Sequence, residues 1–186
     1  MDDDQLQAFT SLYERYAEAV HRYASRRCDR DMAEDVVAQV FAVAWRRRCH
    51  MPSEEALPWL YGVARRVLSE QRRSDRRRQR LHERMRGERA VEHDEDNGSA
   101  PQLDDAALSQ GLRLISAADR EVLLLTYWEE LSPAQVAEAM GCSRATLAVR
   151  LHRAHRRLRK QIEAAGQERS QHQTQDHSYI EETEST

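Results

Sequence analysis

Ser132-Pro-Ala-Gln-Val-Ala-Glu-Ala-Met-Gly-Cys-Ser-Arg-Ala-Thr-Leu-Ala-Val-Arg-Leu-His-Arg-Ala-His-Arg-Arg-Leu-Arg-Lys160 is the stretch that decides the fold. Ser132 followed by Pro133 reads as a helix start. The hydroxyl accepts an otherwise orphaned backbone N–H, and proline at the first helical position gives up a donor that has no partner there anyway. The helix ends at Met140, Gly141-Cys142-Ser143 turns the chain, and Ser143 caps a longer helix. A short helix, a three-residue turn containing glycine and a longer helix make a helix-turn-helix. At ~100° per residue, Leu147, Leu151, Ala154 and Leu158 share one narrow stripe suited to a core. Opposite lie Val149, His152, Arg153, Arg156, Arg159 and Lys160. Residues 144–160 hold seven bases and no acid. Solvated helices usually mix signs, so this bias points to phosphate. The expected duplex-reading set is Arg144, Thr146, Ala148, Val149, Arg150, His152, Arg153 and Arg156. Its early members face base edges and its later arginines face phosphates.

The whole-chain charge hides this pattern. The 186 residues carry 29 Lys+Arg against 32 Asp+Glu, a formal net charge of −3 that by itself argues against a polyanionic partner. Residues 65–89, however, hold eleven arginines against four acids, and residues 91–106 hold six acids and no base. Beyond Lys160, the only lysine, six acids face Arg169 alone. Two basic helices are therefore masked in the sum by two acidic segments.

Upstream, apolar residues recur at helical spacing: Leu6, Phe9, Leu12, Tyr16, Val20 and Tyr23 in one helix, then Met32, Val36, Val40, Phe41 and Trp45 in a second entered at Asp31. A third starts between Ser53 and Pro58, since proline is tolerated only in a first turn, and runs basic towards Arg89. Ser116 with Asp119 reads as a capping box opening a leucine-rich helix. The expected architecture is all-α, with two small helical domains: a bundle over residues 1–89 and a helix-turn-helix domain over 104–165. A flexible acidic linker spans 90–103, and a disordered polar tail spans 166–186.

Aromatics at 6% and only six glycines argue against a β-sandwich or a glycine-rich nucleotide fold. The start MDDDQ has neither the basic patch nor the apolar run of a secretory signal, and no stretch is long enough to span a bilayer. Three widely spaced cysteines, Cys28, Cys49 and Cys142, argue for a reducing cytoplasm rather than a disulfide framework. His152 and His155 lack a second facing pair, so no metal site is expected. No phosphate loop, nucleophile elbow or carboxylate pair appears; neither an enzyme nor a cofactor is expected.

Further blocks carry a family resemblance. Asp31-Met-Ala-Glu-Asp-Val-Val-Ala-Gln-Val-Phe-Ala-Val-Ala-Trp45 is similar to the D-x-A-E-D-L-V-Q-E-T-F-x-x-A-W helix of extracytoplasmic-function (group 4) sigma factors of bacterial RNA polymerase, in the sigma-70 family. Trp59-Leu-Tyr-Gly-Val-Ala-Arg-Arg-Val-Leu68 resembles its W-L-Y-G-I-A-R-N-x-L helix. Leu123-Leu-Leu-Thr-Tyr-Trp-Glu-Glu-Leu-Ser132, Gly141-Cys-Ser-Arg144 and Arg150-Leu-His-Arg-Ala154 follow in family order.

The resemblance implies a region 2 that binds the β′ clamp helices of core RNA polymerase and opens the −10 promoter element. It also implies a region 4 that reads the −35 element while docking on the β-flap, and often an anti-sigma factor that holds both. By position, Glu34, Asp35 and Gln39 match the polymerase-binding helix, and the loop 48–56 with the helix 59–73 matches the −10 reader. Trp59 and Tyr61 with Arg65, Arg66, Arg72 and Arg73 combine stacking and phosphate neutralisation, as holding a single strand requires. Trp59 and Tyr61 are two apart and cannot both face outward; one is core. Trp45 is expected in the core. Arg66 stands where the family usually has Asn, and Ala148-Val149 replace a common Lys/Arg-Ser pair, so neither promoter preference carries over. Gln39-Val40 replace Glu-Thr, an altered polymerase contact. The alternative reading is a helix-turn-helix regulator that binds promoter DNA without being a polymerase subunit.

Overall fold

Each helix start follows from a local donor–acceptor match. The computed structural model describes residues 3–48, 55–86 and 105–183, with side chains described as far as Ala165. Asp29, rather than the expected Asp31, caps the second helix: its carboxylate accepts from the Met32 N–H at 2.9 Å. Asp31 falls instead in the first turn, where a carboxylate favours the helix dipole. Helices α1 (Asp3–Ser25), α2 (Arg30–Arg46) and α3 (Ala56–Arg86) form the first bundle, with Pro58 in the first turn of α3. Val20, Tyr23, Val36, Val40, Phe41, Leu60 and Leu68 fill its centre. Trp45 is half-buried, edge-to-face on Phe9 at 5.0 Å, with the Arg48 guanidinium over its ring.

The second unit comprises α4 (Ala106–Leu114), α5 (Ala117–Tyr127), α6 (Pro133–Met140) and α7 (Arg144–Thr183). Ser116 caps α5 by accepting from the Asp119 N–H. The expected reciprocal half is replaced, because the Asp119 carboxylate takes the Arg157 guanidinium of α7. Ser132 and Gln135 make the complete reciprocal box of α6, with Pro133 at its first position. Gly141 closes α6 at φ 63°, the left-handed conformation that glycine adopts without a Cβ penalty. Leu112, Ile115, Leu123 and Ala154 are the local core, with Leu108, Leu151 and Leu158 against it.

Two findings depart from the sequence reading. The α7 backbone continues to Thr183, where a disordered tail was expected from residue 166. Beyond Gly166 the segment lacks proline and glycine and is rich in Gln and Glu, so nothing in it breaks a helix. Second, the two units are not apart. One apolar cluster joins Leu60, Tyr61 and Val63 of α3 to Val122, Leu125, Val136, Ala139 and Met140 of α5 and α6. Gly62 and Ala139 make this possible: a Cβ on Gly62 would stand 3.1 Å from the Ala139 carbonyl oxygen. The expected linker 90–103 and most of the loop 48–56 lie outside the described residues.

Candidate nucleic-acid interface

The helix-turn-helix presents its basic face as its spacing requires. Leu147 and Ala154 are buried, while Arg144, Thr146, Ala148, Val149, Arg150, His152, Arg153 and Arg156 are all exposed on α7. The Ser143 hydroxyl accepts from the Thr146 N–H at 3.1 Å, which fixes where the helix begins. No described carboxylate lies within ion-pair distance of Arg144, Arg150, Arg153 or Arg156, so their charge is open to a ligand. Arg157, by contrast, is spent on Asp119. His155 does not join His152; its Nε2 lies 2.8 Å from the Tyr127 hydroxyl.

On α2, Glu34, Asp35 and Gln39 are exposed on the side away from Val36, Val37 and Val40.

The α3 set divides. Arg66 and Arg73 are exposed, and Arg73 donates to the Ser69 carbonyl and hydroxyl oxygens of its own helix. Trp59 is half-buried. Tyr61, expected as a candidate stacking surface, is the core member of the aromatic pair. It is 4% exposed, stacked on Tyr23 at 4.8 Å between ring centres, and its hydroxyl donates to Glu129. Burial, with Glu129 beside it, pushes its phenol up to about 12. Arg65 donates to the Met140 carbonyl oxygen at 3.3 Å and Arg72 to the Arg27 carbonyl oxygen at 3.0 Å. Arg65, Ser69, Arg72, Arg73 and Arg76 thus form one wall of a cleft of about 330 Å³ whose other wall is Ala117, Ala118, Glu121 and Met140.

Comparison with known proteins supplies the family. Residues 12–78 match the model "Sigma-70 region 2" and residues 106–158 match "Sigma-70, region 4". Over 160 residues the chain is 32% identical to the ECF RNA polymerase sigma factor SigL of Mycobacterium tuberculosis, covering 84% of this chain and 89% of that protein. The chain belongs to the extracytoplasmic-function sigma factors. It is an alternative sigma factor, directing transcription initiation. A second relative, the ECF sigma factor BldN of Streptomyces coelicolor, is 28% identical over 155 residues, or 81% of this chain and 59% of that one. Among solved structures, the sigma factor RpoE of Bartonella quintana, in complex with the anti-sigma factor NepR, aligns with a TM-score of 0.59 at 26% identity. That alignment covers 84% of this chain and 98% of RpoE. The α3 and α7 sets therefore lie in regions 2 and 4 respectively.

Periodicity gave no sign of the sigma factor's most buried charges. Arg27, 3% exposed, lies with its guanidinium 3.6 Å from the centre of the Tyr23 ring. It donates to Glu121 at 2.9 Å and to Glu129 at 3.1 Å across the junction of the two regions. Burial alone would lower its affinity for the proton, but Glu121 with its neighbours outweighs this and holds the guanidinium more firmly charged than usual. Tyr23, buried and donating to Glu121 at 2.6 Å, has its phenol pushed upward, by burial first and by Glu121 second. A second hidden cation, Arg120, donates to the Leu112, Arg113 and Ile115 carbonyl oxygens that α4 leaves unpaired at its C-terminal end. Neither arginine stands out in sequence from the many around it.

Proposed function

We propose that this sigma factor binds core RNA polymerase through the exposed acidic strip of α2 and brings two separate DNA surfaces to a promoter. Residues 1–89 act as region 2 and residues 104–165 as region 4, joined by the linker 90–103. Glu34, Asp35 and Gln39 meet the β′ clamp helices. Arg144, Thr146, Ala148, Val149, Arg150, His152, Arg153 and Arg156 read the −35 duplex while region 4 rests on the β-flap. Trp59, Arg65, Arg66, Arg72 and Arg73 hold the −10 strand, and Tyr61 joins them only when it is uncovered. The chain performs no catalysis itself; the polymerase supplies the chemistry. Anti-sigma control is in keeping with the solved relative held by NepR. A cytoplasmic location accords with the absence, among the described residues, of any helix long and apolar enough to cross a membrane.

The observation that carries this reading is the acid-free face of α7, without an ion pair among the described residues, behind a capped helix-turn-helix. The experiment is run-off transcription from genomic fragments with purified core polymerase, with and without the chain. Promoter-specific transcripts that depend on the chain are expected. Duplex binding without initiation from any fragment would refute the polymerase-subunit reading.

A further inference from the structure

We propose that the cleft between α3 and the start of α5 is a binding site for a small diphosphate-bearing ligand. The site goes beyond promoter binding and draws one wall from each region.

The α3 wall is a set of arginines held in place without being neutralised. Arg65, Ser69, Arg72, Arg73 and Arg76 recur at helical spacing and line the cleft together. Arg65 donates to the Met140 carbonyl oxygen, Arg72 to the Arg27 carbonyl oxygen, and Arg73 to the Ser69 carbonyl and hydroxyl oxygens. These acceptors are all uncharged, and no described carboxylate lies within ion-pair distance of the three guanidinium groups. A guanidinium has five N–H donors, so most of them remain for a ligand. The Arg65 Nε is buried and lacks a partner among the described residues, and an unpaired buried donor costs free energy until an acceptor arrives. Glu121, the acid lining the cleft, is already taken by Arg27 at 2.9 Å and by the Tyr23 hydroxyl at 2.6 Å.

The opposite wall adds neutral donors. Ala117 and Ala118 open α5, and their N–H groups find no described acceptor. The Ser116 cap serves the next two donors instead: its hydroxyl takes the Asp119 N–H and its carbonyl the Arg120 N–H. The Asp119 carboxylate would repel an anion here, but its charge is bound by Arg157 of α7. Orphaned N–H groups at a helix start, across from a row of arginines, are complementary to phosphate oxygens.

Size and charge choose the ligand. A cleft of about 330 Å³ stands at the lower end of small-molecule sites. No aromatic side chain lines it to stack on a base, so phosphate carries the recognition. A phosphate monoester brings a charge of about −1.5 to −2 near neutral pH. One phosphate therefore leaves the four arginines of the wall underbalanced, and two linked phosphates match them. The shared chemistry is a diphosphate, either inorganic or the end of a nucleotide. Arg65, Arg72 and Arg73 are also read above as −10 contacts, so a bound diphosphate withholds them from the strand. That consequence, unlike the site, rests on the earlier reading of α3.

Isothermal titration calorimetry of the full chain with sodium pyrophosphate, at about 150 mM salt to screen loose surface pairing, tests the site. Saturable binding at least about tenfold tighter than that of orthophosphate is expected. Ala118→Glu puts a carboxylate into the cleft from an exposed first-turn position that suits the α5 dipole, and should weaken binding about tenfold or more. Arg76→Ala removes a wall cation and should also weaken it; this variant decides if far-UV circular dichroism shows Ala118→Glu unfolded. Arg80→Ala with Arg84→Ala, both exposed on α3 beyond the cleft, should bind as wild type does. ADP and GDP separate the sources: tighter binding than pyrophosphate assigns a nucleotide, equal or weaker binding an inorganic ligand. Pyrophosphate bound no tighter than orthophosphate, or held equally by the folded cleft variants, would overturn the site. So would an equal loss in the Arg80/Arg84 variant. In fluorescence anisotropy, saturating pyrophosphate should lower the affinity for a labelled oligothymidine of about 12 nucleotides. Pyrophosphate that binds without lowering it would overturn the −10 reading of these arginines and leave the site standing.

Discussion

Replacing Arg153 and Arg156 together with alanine isolates the electrostatic part of promoter binding. Both side chains are exposed on α7, three residues apart, without an ion pair to another described residue. Their removal therefore leaves the fold alone and takes away two cations free to meet phosphate. Each phosphate neutralised contributes about 0.9 to the slope of log affinity against log salt, so the double variant should lose about 1.8 of that slope. Between about 50 and 200 mM salt the wild type should then weaken about 12-fold more than the variant, equivalent to about 1.5 kcal/mol. The assay is anisotropy of a labelled promoter duplex titrated with holoenzyme across that salt range. Arg157→Ala is the internal control. Its charge is already taken up by Asp119, whose side chain is 10% exposed, so it should lower the stability of region 4 and leave the slope nearly unchanged. Parallel salt plots for wild type and the Arg153/Arg156 variant would refute the placement of this face on DNA.

Other expectations follow from single contacts. Gly111→Val should destabilise region 4 by about 1–3 kcal/mol in urea unfolding, because a Cβ there meets Ile162 and Leu158 at 3.0 Å each. Cys28 is partly buried, with its thiol donating to the Ala24 carbonyl oxygen and pushed from 9.0 up to about 11, by burial first and Asp29 second. At pH 8 its alkylation should be about 100-fold slower than that of an ordinary thiol, as peptide mass spectrometry can measure. Tyr61 has its phenol raised from 10.0 to about 12, so its contribution to folding is complete below pH 10 and lost as the pH climbs towards 12. Urea-derived stability should hold from pH 7 to about 9, begin to fall as the raised Cys28 thiol titrates, and fall further above 10 as Tyr61 does. Tyr61→Phe should blunt that fall, with Tyr23 supplying the remainder.

Elements were legible where one local rule sufficed. The α6 cap, its proline, the Gly141 turn and the Leu147–Ala154 stripe all depend on neighbours within one or two turns, and the structure has them as the spacing predicts. The capping box at Ser116 was half right, because Asp119 had a distant competitor in Arg157, 38 residues away. Tyr61 shows the same limit. Its side chain suits stacking on a base as well as stacking on Tyr23, and only the partner decides which.

By itself the sequence determined that the chain is helical, that a helix-turn-helix presents an acid-free basic face, and which motif blocks place it among sigma factors. These are properties of period, cap and sign, which act along the chain. Tertiary structure alone decided that the two regions meet, that Tyr61 and Arg65 are covered, and that Arg27, Glu121 and Glu129 form the junction. Those residues stand about a hundred positions apart. An arginine's burial depends on the carboxylates that arrive around it, and no pattern near Arg27 announces them.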